Sequence, residues 1–158
     1  MKLKSLVALL VLTAAACGIP SLATAEPAAP RVIKIRAGVE NAMKFDLASM
    51  TAAPGESVKV VLTNHCAFPK NVMGHNWVLV AKGTDINAFA AAAAAEAANG
   101  YIPEKQKSKV IAVVGLLGPN ETGEVTFQAP TEPGEYPFLC TFPAHCSIGM
   151  KGVLIVKK

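Results

Sequence analysis

Short runs that are rich in Val and Ile, or that alternate apolar and polar residues, recur along the chain after residue 30. Such runs are typical of β-strands whose two faces meet different surroundings. Turn-forming pairs separate several of them, as at Pro54-Gly55, Pro119-Asn120 and Pro133-Gly134. The pattern predicts strands at 32–36, 57–62, 77–81, 110–114, 124–128, 136–140 and 153–156, with a weaker one near 44–47. About eight short strands, without alternating helices, predict an all-β antiparallel sandwich or barrel.

One segment, residues 85–98, departs from this strand pattern. It is rich in Ala, which is the strongest helix former, and Thr84 or Asp85 can cap its start. Asn99-Gly100 follows as a stop signal. The segment therefore predicts one helical insertion between two strands that lies on the sandwich, in preference to a helix that binds a partner.

The first 25 residues have the layout of a secretory signal peptide. Lys2 and Lys4 precede an apolar run at 6–16, and Ala23-Thr24-Ala25 forms a small-residue cleavage site. We therefore expect a signal peptide over 1–25, a flexible lead-in over 26–30, one domain over 31–158 and a periplasmic protein. The alternative is a lipoprotein acylated at Cys17. It is disfavoured because Ala14 stands where such sites usually carry Leu.

Composition narrows the class of protein further. A chain of 158 residues with 52% hydrophobic and 16% charged residues is long and apolar enough for a folded core. The net charge of +4 is modest and spread along the chain, which argues against nucleic-acid binding. Four cysteines are too few for a disulfide scaffold. Removal of the leader would leave Cys66, Cys140 and Cys146, an odd number for an exported protein.

The candidate chemistry lies near the C-terminus, between the last two predicted strands. Cys140, His145 and Met150 fall within eleven residues, and a second imidazole, His75, comes earlier in the chain. Each residue alone is more often an ordinary core or surface residue, but their combination is specific. Thiolate and thioether are soft ligands, and a trigonal His₂Cys set with a weak axial Met is the donor set of electron-transfer copper sites. Zinc is disfavoured, because a thioether adds little to a zinc site.

These residues stand in segments that resemble the small blue copper proteins, the cupredoxins, and most closely the azurins. The similar segments are 41–45, 69–79, 140–145 and 150–154. The resemblance implies an eight-stranded Greek-key sandwich with one type 1 copper ion. It also implies that His75, Cys140 and His145 are equatorial ligands, that Met150 is axial, and that the Gly74 carbonyl is a distant fifth contact.

Two departures from the azurin pattern bear on the site. Four residues, 146–149, separate the second His from the Met, one more than in azurins and as in plastocyanins and auracyanins. A nearer Met would leave less need for the Gly74 carbonyl. The azurin disulfide near the N-terminus also has no counterpart. Because bound copper would draw their loops to one end of the sandwich, we expect Cys66 and Cys146 to form a disulfide; the alternative is two unpaired thiols.

The resemblance also assigns roles around the ligands. Asn76 would tie the two ligand loops together, and backbone N–H groups near Phe142 would donate to the Cys140 sulfur. Electrons would pass through His145, within an apolar patch that docks partners. The candidates for that patch are Met43, Phe68, Val72, Met73, Phe142 and Ala144.

We therefore expect a periplasmic electron carrier that cycles copper between Cu(I) and Cu(II). Its expected partners are redox proteins such as c-type cytochromes or periplasmic reductases, docked transiently on a monomer without a membrane span. The alternative is a periplasmic protein for copper delivery or resistance. An enzyme is disfavoured because multicopper oxidases and nitrite reductases need further ligands and domains.

Overall fold

The computed structural model describes residues 28–158, so the predicted signal peptide over 1–25 lies outside the described residues. Within this described part of the chain there are two short helices, α1 (Lys70–Met73) and α2 (Ile86–Ala93). Three 3-10 turns lie at Val39–Asn41, Ala97–Asn99 and Glu104–Lys109. The strands are β1 (Arg31–Ala37), β2 (Ser49–Ala52), β3 (Ser57–Asn64), β4 (His75–Val80), β5 (Val110–Leu117), β6 (Thr122–Gln128), β7 (Gly134–Leu139) and β8 (Lys151–Val156).

The eight strands form two sheets, one ordered β1-β3-β6 and the other β2-β8-β7-β4-β5. The prediction of an all-β, eight-stranded sandwich with a small helical insertion is confirmed. The prediction that pairing is antiparallel is wrong for two pairs, since β1–β3 and β2–β8 are parallel. The reason is the route of the chain. It leaves β1 for the other sheet at β2 and then returns to place β3 beside β1.

One predicted strand is displaced along the chain. The weak strand expected near 44–47 is instead β2, and Phe45 makes only an isolated bridge with Ala37. The Asp46 carboxylate explains the difference. It accepts the backbone N–H of Arg36 at 2.7 Å and the guanidinium N–H of the same residue at 2.8 Å. These bonds use the Asp46 side chain to hold the segment as a loop against the end of β1.

The main core lies between the two sheets. In β3 every second residue is buried, which is the period expected of a strand with one face inward. Strand β4 is buried at every position, because neighbouring strands flank it and both of its faces are covered. Its Trp77 and Leu79 belong to the main core, whereas Val78 and Val80 belong to a smaller cluster beneath helix α2.

Helix α2 confirms the predicted insertion but is shorter than expected. Asp85 is its N-cap, and the carboxylate accepts the backbone N–H groups of Asn87 at 3.0 Å and Ala88 at 3.1 Å. Phe89 and Ala93 are the buried residues of the helix, and Phe89 anchors it in the smaller cluster. The chain beyond Ala93 carries no large apolar residue to bury before Gly100, so the helix gives way to tight turns.

Candidate metal centre

The four predicted ligands meet at one end of the five-stranded sheet. His75 is the first residue of β4, and Cys140 directly follows β7. These strands are antiparallel neighbours, so the start of one lies beside the end of the other. His145 and Met150 lie in the loop that joins β7 to β8. The topology thus brings together residues that stand 65 positions apart, His75 and Cys140.

Backbone hydrogen bonds close the loop that carries His145 and Met150. The Cys140 N–H donates to the Met150 carbonyl at 3.0 Å, and the Met150 N–H donates to the His145 carbonyl at 2.9 Å. His145 N–H in turn donates to the Phe142 carbonyl at 3.1 Å. The backbones of Cys140, His145 and Met150 are therefore tied to one another by hydrogen bonds of the loop itself. Met150 itself is fully buried in the main core.

The ligand atoms of His75, Cys140 and His145 converge on one point. The two imidazole Nδ1 atoms are 3.2 Å apart, and the Cys140 sulfur lies 3.4 Å from Nδ1 of His145 and 4.0 Å from Nδ1 of His75. With metal–nitrogen bonds of about 2.0 Å and a metal–sulfur bond of about 2.3 Å, a trigonal site needs separations of about 3.5 Å and 3.7 Å. The three side chains therefore fit one metal ion with little rearrangement.

Burial sets the protonation of these groups. It lowers the pKa of His75 to about 4, with a smaller contribution from the charge of His145, and it lowers the pKa of His145 to about 4. Burial raises the pKa of the Cys140 thiol to about 12, although the backbone N–H groups of Asn76 and Phe142 donate to the sulfur and oppose this shift. Both imidazoles are thus neutral and ready to bind at neutral pH. The thiolate forms when a metal displaces its proton.

A sequence model of the copper binding proteins of the plastocyanin/azurin family matches residues 33–157. The chain belongs to this family. Auracyanin-B of Chloroflexus aurantiacus is 34% identical over 129 residues, which are 80% of this chain and 52% of that protein, so the chain spans about half of that relative. Azurin of Pseudomonas chlororaphis is 39% identical over 100 residues, covering 62% of this chain and 77% of that azurin.

Solved structures agree with this assignment. Dithionite-reduced auracyanin from Roseiflexus castenholzii has a TM-score of 0.71 at 34% identity and covers 82% of this chain and 99% of its own. Auracyanin A from Chloroflexus aurantiacus, described as a "blue" copper protein, has a TM-score of 0.71 at 35% identity. The match covers 82% of this chain and 100% of that auracyanin. The predicted resemblance to the cupredoxins is therefore confirmed.

Family membership and the ligand cluster together confirm the predicted cofactor, one type 1 copper ion. They also confirm an electron-transfer protein rather than an enzyme. The helices among residues 28–158 are all too short or too polar to cross a membrane.

Asn76 joins the two strands that carry copper ligands. It follows His75 directly and is fully buried. Its amide oxygen accepts the backbone N–H of Thr141 at 2.8 Å, and its amide nitrogen donates to the Thr141 hydroxyl at 2.6 Å and to the Gly100 carbonyl at 3.3 Å. Thr141 follows Cys140, so one amide links the neighbours of two ligands. This is the connection that the sequence resemblance assigned to Asn76.

Gly74 lies in close backbone packing just before His75. A Cβ built at Gly74 would stand 2.5 Å from the Lys70 carbonyl oxygen and 2.9 Å from a methyl carbon of Leu116. A side chain is therefore excluded at this position. The contact of the Gly74 carbonyl with copper stays a prediction.

The predicted Cys66–Cys146 disulfide is wrong for this structure, because Cys66, Cys140 and Cys146 are all free thiols. The two cysteines pack in different places. Cys66 lies against Gly38, and its sulfur accepts the Phe68 N–H at 3.5 Å. Cys146 points into the small cluster under α2 with Phe89. Their loops do reach one end of the sandwich, but the side chains face different neighbours.

The candidate docking residues divide by exposure. Phe68 is 46% exposed and Val72 is 56% exposed, and Ala144 is also exposed. Met43 and Met73 are half-buried, whereas Phe142 is buried and packs on the imidazole of His145 with ring centroids 4.8 Å apart.

Sequence reasoning missed two residues near this surface. Ile148 is 52% exposed within the ligand loop. Its position between His145 and Met150 is the sequence feature that could have identified it as part of this surface. Tyr101 packs edge-on against Phe142 with centroids 5.1 Å apart. No local sequence signal points to this long-range contact.

Proposed function

We propose that the protein is a periplasmic carrier that passes single electrons between redox proteins. The observation that carries this proposal is the convergence of the buried ligand atoms of His75, Cys140 and His145 on one copper position. Backbone hydrogen bonds already join Cys140 and His145 through Met150. The bound ion supplies the one-electron Cu(I)/Cu(II) couple. The layout of residues 1–25 supports export to the periplasm.

The chain contributes a rigid, dry enclosure. His75, Cys140 and Met150 are fully buried and His145 is 2% exposed. The loop hydrogen bonds and the Asn76 amide hold these residues in place. Ligands that do not move when the copper charge changes keep the reorganisation small. N–H donors to the Cys140 sulfur stabilise thiolate charge and so tune the potential.

A route for electrons leads through His145. Ala144 directly precedes it and is exposed, and Ile148 lies exposed in the same loop. With Phe68 and Val72, these residues place apolar surface at the copper end. Small apolar contacts of this kind suit short-lived docking of a redox partner. We infer partners such as c-type cytochromes or periplasmic reductases, met by a monomer.

The test is electron exchange by the copper-loaded protein, begun at Glu26. We expect an intense visible band that a reductant bleaches and an oxidant restores. Stopped-flow mixing of the reduced protein with an oxidised c-type cytochrome should oxidise the copper in a second-order reaction. Ile148→Lys should slow that reaction with an unchanged visible spectrum, and Lys34→Ala on the exposed face of β1 serves as the control. Transfer of copper to a competing apo-protein, without electron exchange, would support copper delivery and contradict the proposal.

A further inference from the structure

On the far side of the His75 ring, residues 28–158 supply no hydrogen bond of the kind that usually orients a metal-bound histidine. Metal-binding imidazoles commonly donate their second ring N–H to a carboxylate, a carbonyl or water. Nδ1 of His75 faces the copper position, and Nε2 is buried without a hydrogen-bond partner among residues 28–158. The contact of Nδ1 with His145 at 3.2 Å and the packing around Nε2 therefore orient this ring.

Gly38 provides that packing. It follows β1 and adopts the left-handed backbone conformation, with φ +68°. A Cβ built on it would lie 2.9 Å from Nε2 of His75 and 2.7 Å from Cβ of Cys66. Ordinary contacts between carbon atoms are about 3.5–4.0 Å. A methyl group at Gly38 would therefore have to displace the imidazole, Cys66 or its own loop by at least about half an ångström.

Hydrogen bonds hold both sides of this contact. Gly38 N–H donates to the Lys44 carbonyl at 3.2 Å, and the Gly38 carbonyl accepts the Asn41 N–H at 2.9 Å. Asn41 also reaches the segment that carries Cys66, because its side-chain oxygen accepts the Ala67 N–H at 2.9 Å. On the other side, the Cys66 N–H donates to the side-chain oxygen of Asn64 at 2.8 Å. The imidazole is the neighbour that these bonds do not restrain.

We propose that Gly38 is a positioning residue for the copper ligand His75, and that Cys66 fills the other side of the same contact. The proposal rests on the copper function above. The absence of a side chain at Gly38 lets the chain close over the imidazole edge, and that contact holds Nδ1 toward Cys140 and His145. Ligands need to stay within about 0.5 Å of their working geometry, so a methyl group here takes the site outside that tolerance.

The experiment compares Gly38→Ala with Gly83→Ala in the copper-loaded protein. Gly83 has φ +76° and nothing within 4 Å of a built Cβ, so its variant reproduces the backbone strain without the collision. We expect both variants to lose stability in urea. Only Gly38→Ala should shift the visible band and the reduction potential and weaken copper binding at least about tenfold in competition with a chelator.

A second comparison tests the shared contact with Cys66. Cys66→Gly removes the Cβ that the new methyl group would meet at 2.7 Å and leaves the Cys66 backbone nitrogen at 2.9 Å, whereas Cys66→Ala keeps both contacts. In the Gly38→Ala background, Cys66→Gly should recover part of the stability, and Cys66→Ala should not. The band should stay shifted relative to the Cys66→Gly single variant, because the collision with Nε2 remains. If Gly38→Ala alone does not fold, the Gly38→Ala/Cys66→Gly double variant still tests the collision with Nε2 of His75.

Equal spectra, potentials and copper affinities for Gly38→Ala and Gly83→Ala would overturn the proposal. So would identical copper properties for the Gly38→Ala/Cys66→Gly double variant and the Cys66→Gly single variant. Failure of the copper function is recognised separately, since the wild-type protein and Gly83→Ala would then lack the intense, reversible band as well.

Discussion

Removal of the Asn76 amide should weaken the fold and the copper site together. Asn76→Ala leaves the buried Thr141 N–H without its acceptor and the Thr141 hydroxyl without its donor. A buried N–H left unpaired costs about 1–3 kcal/mol, and a lost hydrogen bond costs about 0.5–1.5 kcal/mol. We therefore expect a loss of about 2–4 kcal/mol, which a domain with an unfolding free energy of about 5–15 kcal/mol can survive.

Thr141→Val isolates one part of this effect. It removes the hydroxyl but keeps the backbone N–H bond to Asn76, so we expect a loss of about 1 kcal/mol. Because the two residues contact each other, the double variant should cost less than the sum of the single losses. Urea unfolding of the metal-free protein measures each value.

The copper site supplies the second measurement. Asn76→Ala loosens the link between the neighbours of His75 and Cys140, so copper affinity should fall about 10–100-fold. Val58→Ala is the stability control. Val58 is fully buried and pairs with Arg31, at the end of β1 away from Gly38, so its truncation should lower stability and leave the affinity unchanged. Equal copper affinity in Asn76→Ala and wild type, or no excess loss of stability over Thr141→Val, would refute the reasoning.

The further expected outcomes concern helix α2, the pH dependence of stability, the axial ligand and the number of free thiols. Phe89→Ala should cost about 3–5 kcal/mol in urea unfolding, because this ring anchors α2, and a loss below about 1 kcal/mol would contradict that role. The metal-free protein should lose stability as the pH falls from 6.5 toward about 4, since the unfolded chain then binds protons at His75 and His145 that the folded chain does not. It should also lose stability as the pH rises from 9 toward about 12, where the unfolded Cys140 ionises first; unfolding curves across pH that stay flat in either window would exclude that contribution. Met150→Gln should lower the reduction potential and retain copper, as measured by redox titration. Thiol titration of the unfolded, metal-free protein begun at Glu26 should find three free thiols. A count of one free thiol would instead support the Cys66–Cys146 disulfide.

Local patterns in the chain were enough to predict the strands and the donor set. The alternation of buried positions in β3 is visible in its residue order, because a strand places successive side chains on opposite faces. The short segment from Cys140 to Met150 carries three of the four ligands, so its composition indicates soft-metal chemistry before any fold is known. The Ala-rich segment and its Asp85 cap likewise predicted helix α2.

Long-range packing decided the rest. The parallel pairing of β1 with β3 depends on the passage of the chain through the other sheet, which no local pattern records. The sequence placed Cys66 and Cys146 at one end of the molecule, but their pairing depends on the direction of each side chain, and the core beneath α2 takes Cys146. The contact of Gly38 with His75 is of the same kind. Residue types and local periodicity determine which groups are available, whereas distances of a few ångströms between distant segments are determined only when the sheets have packed.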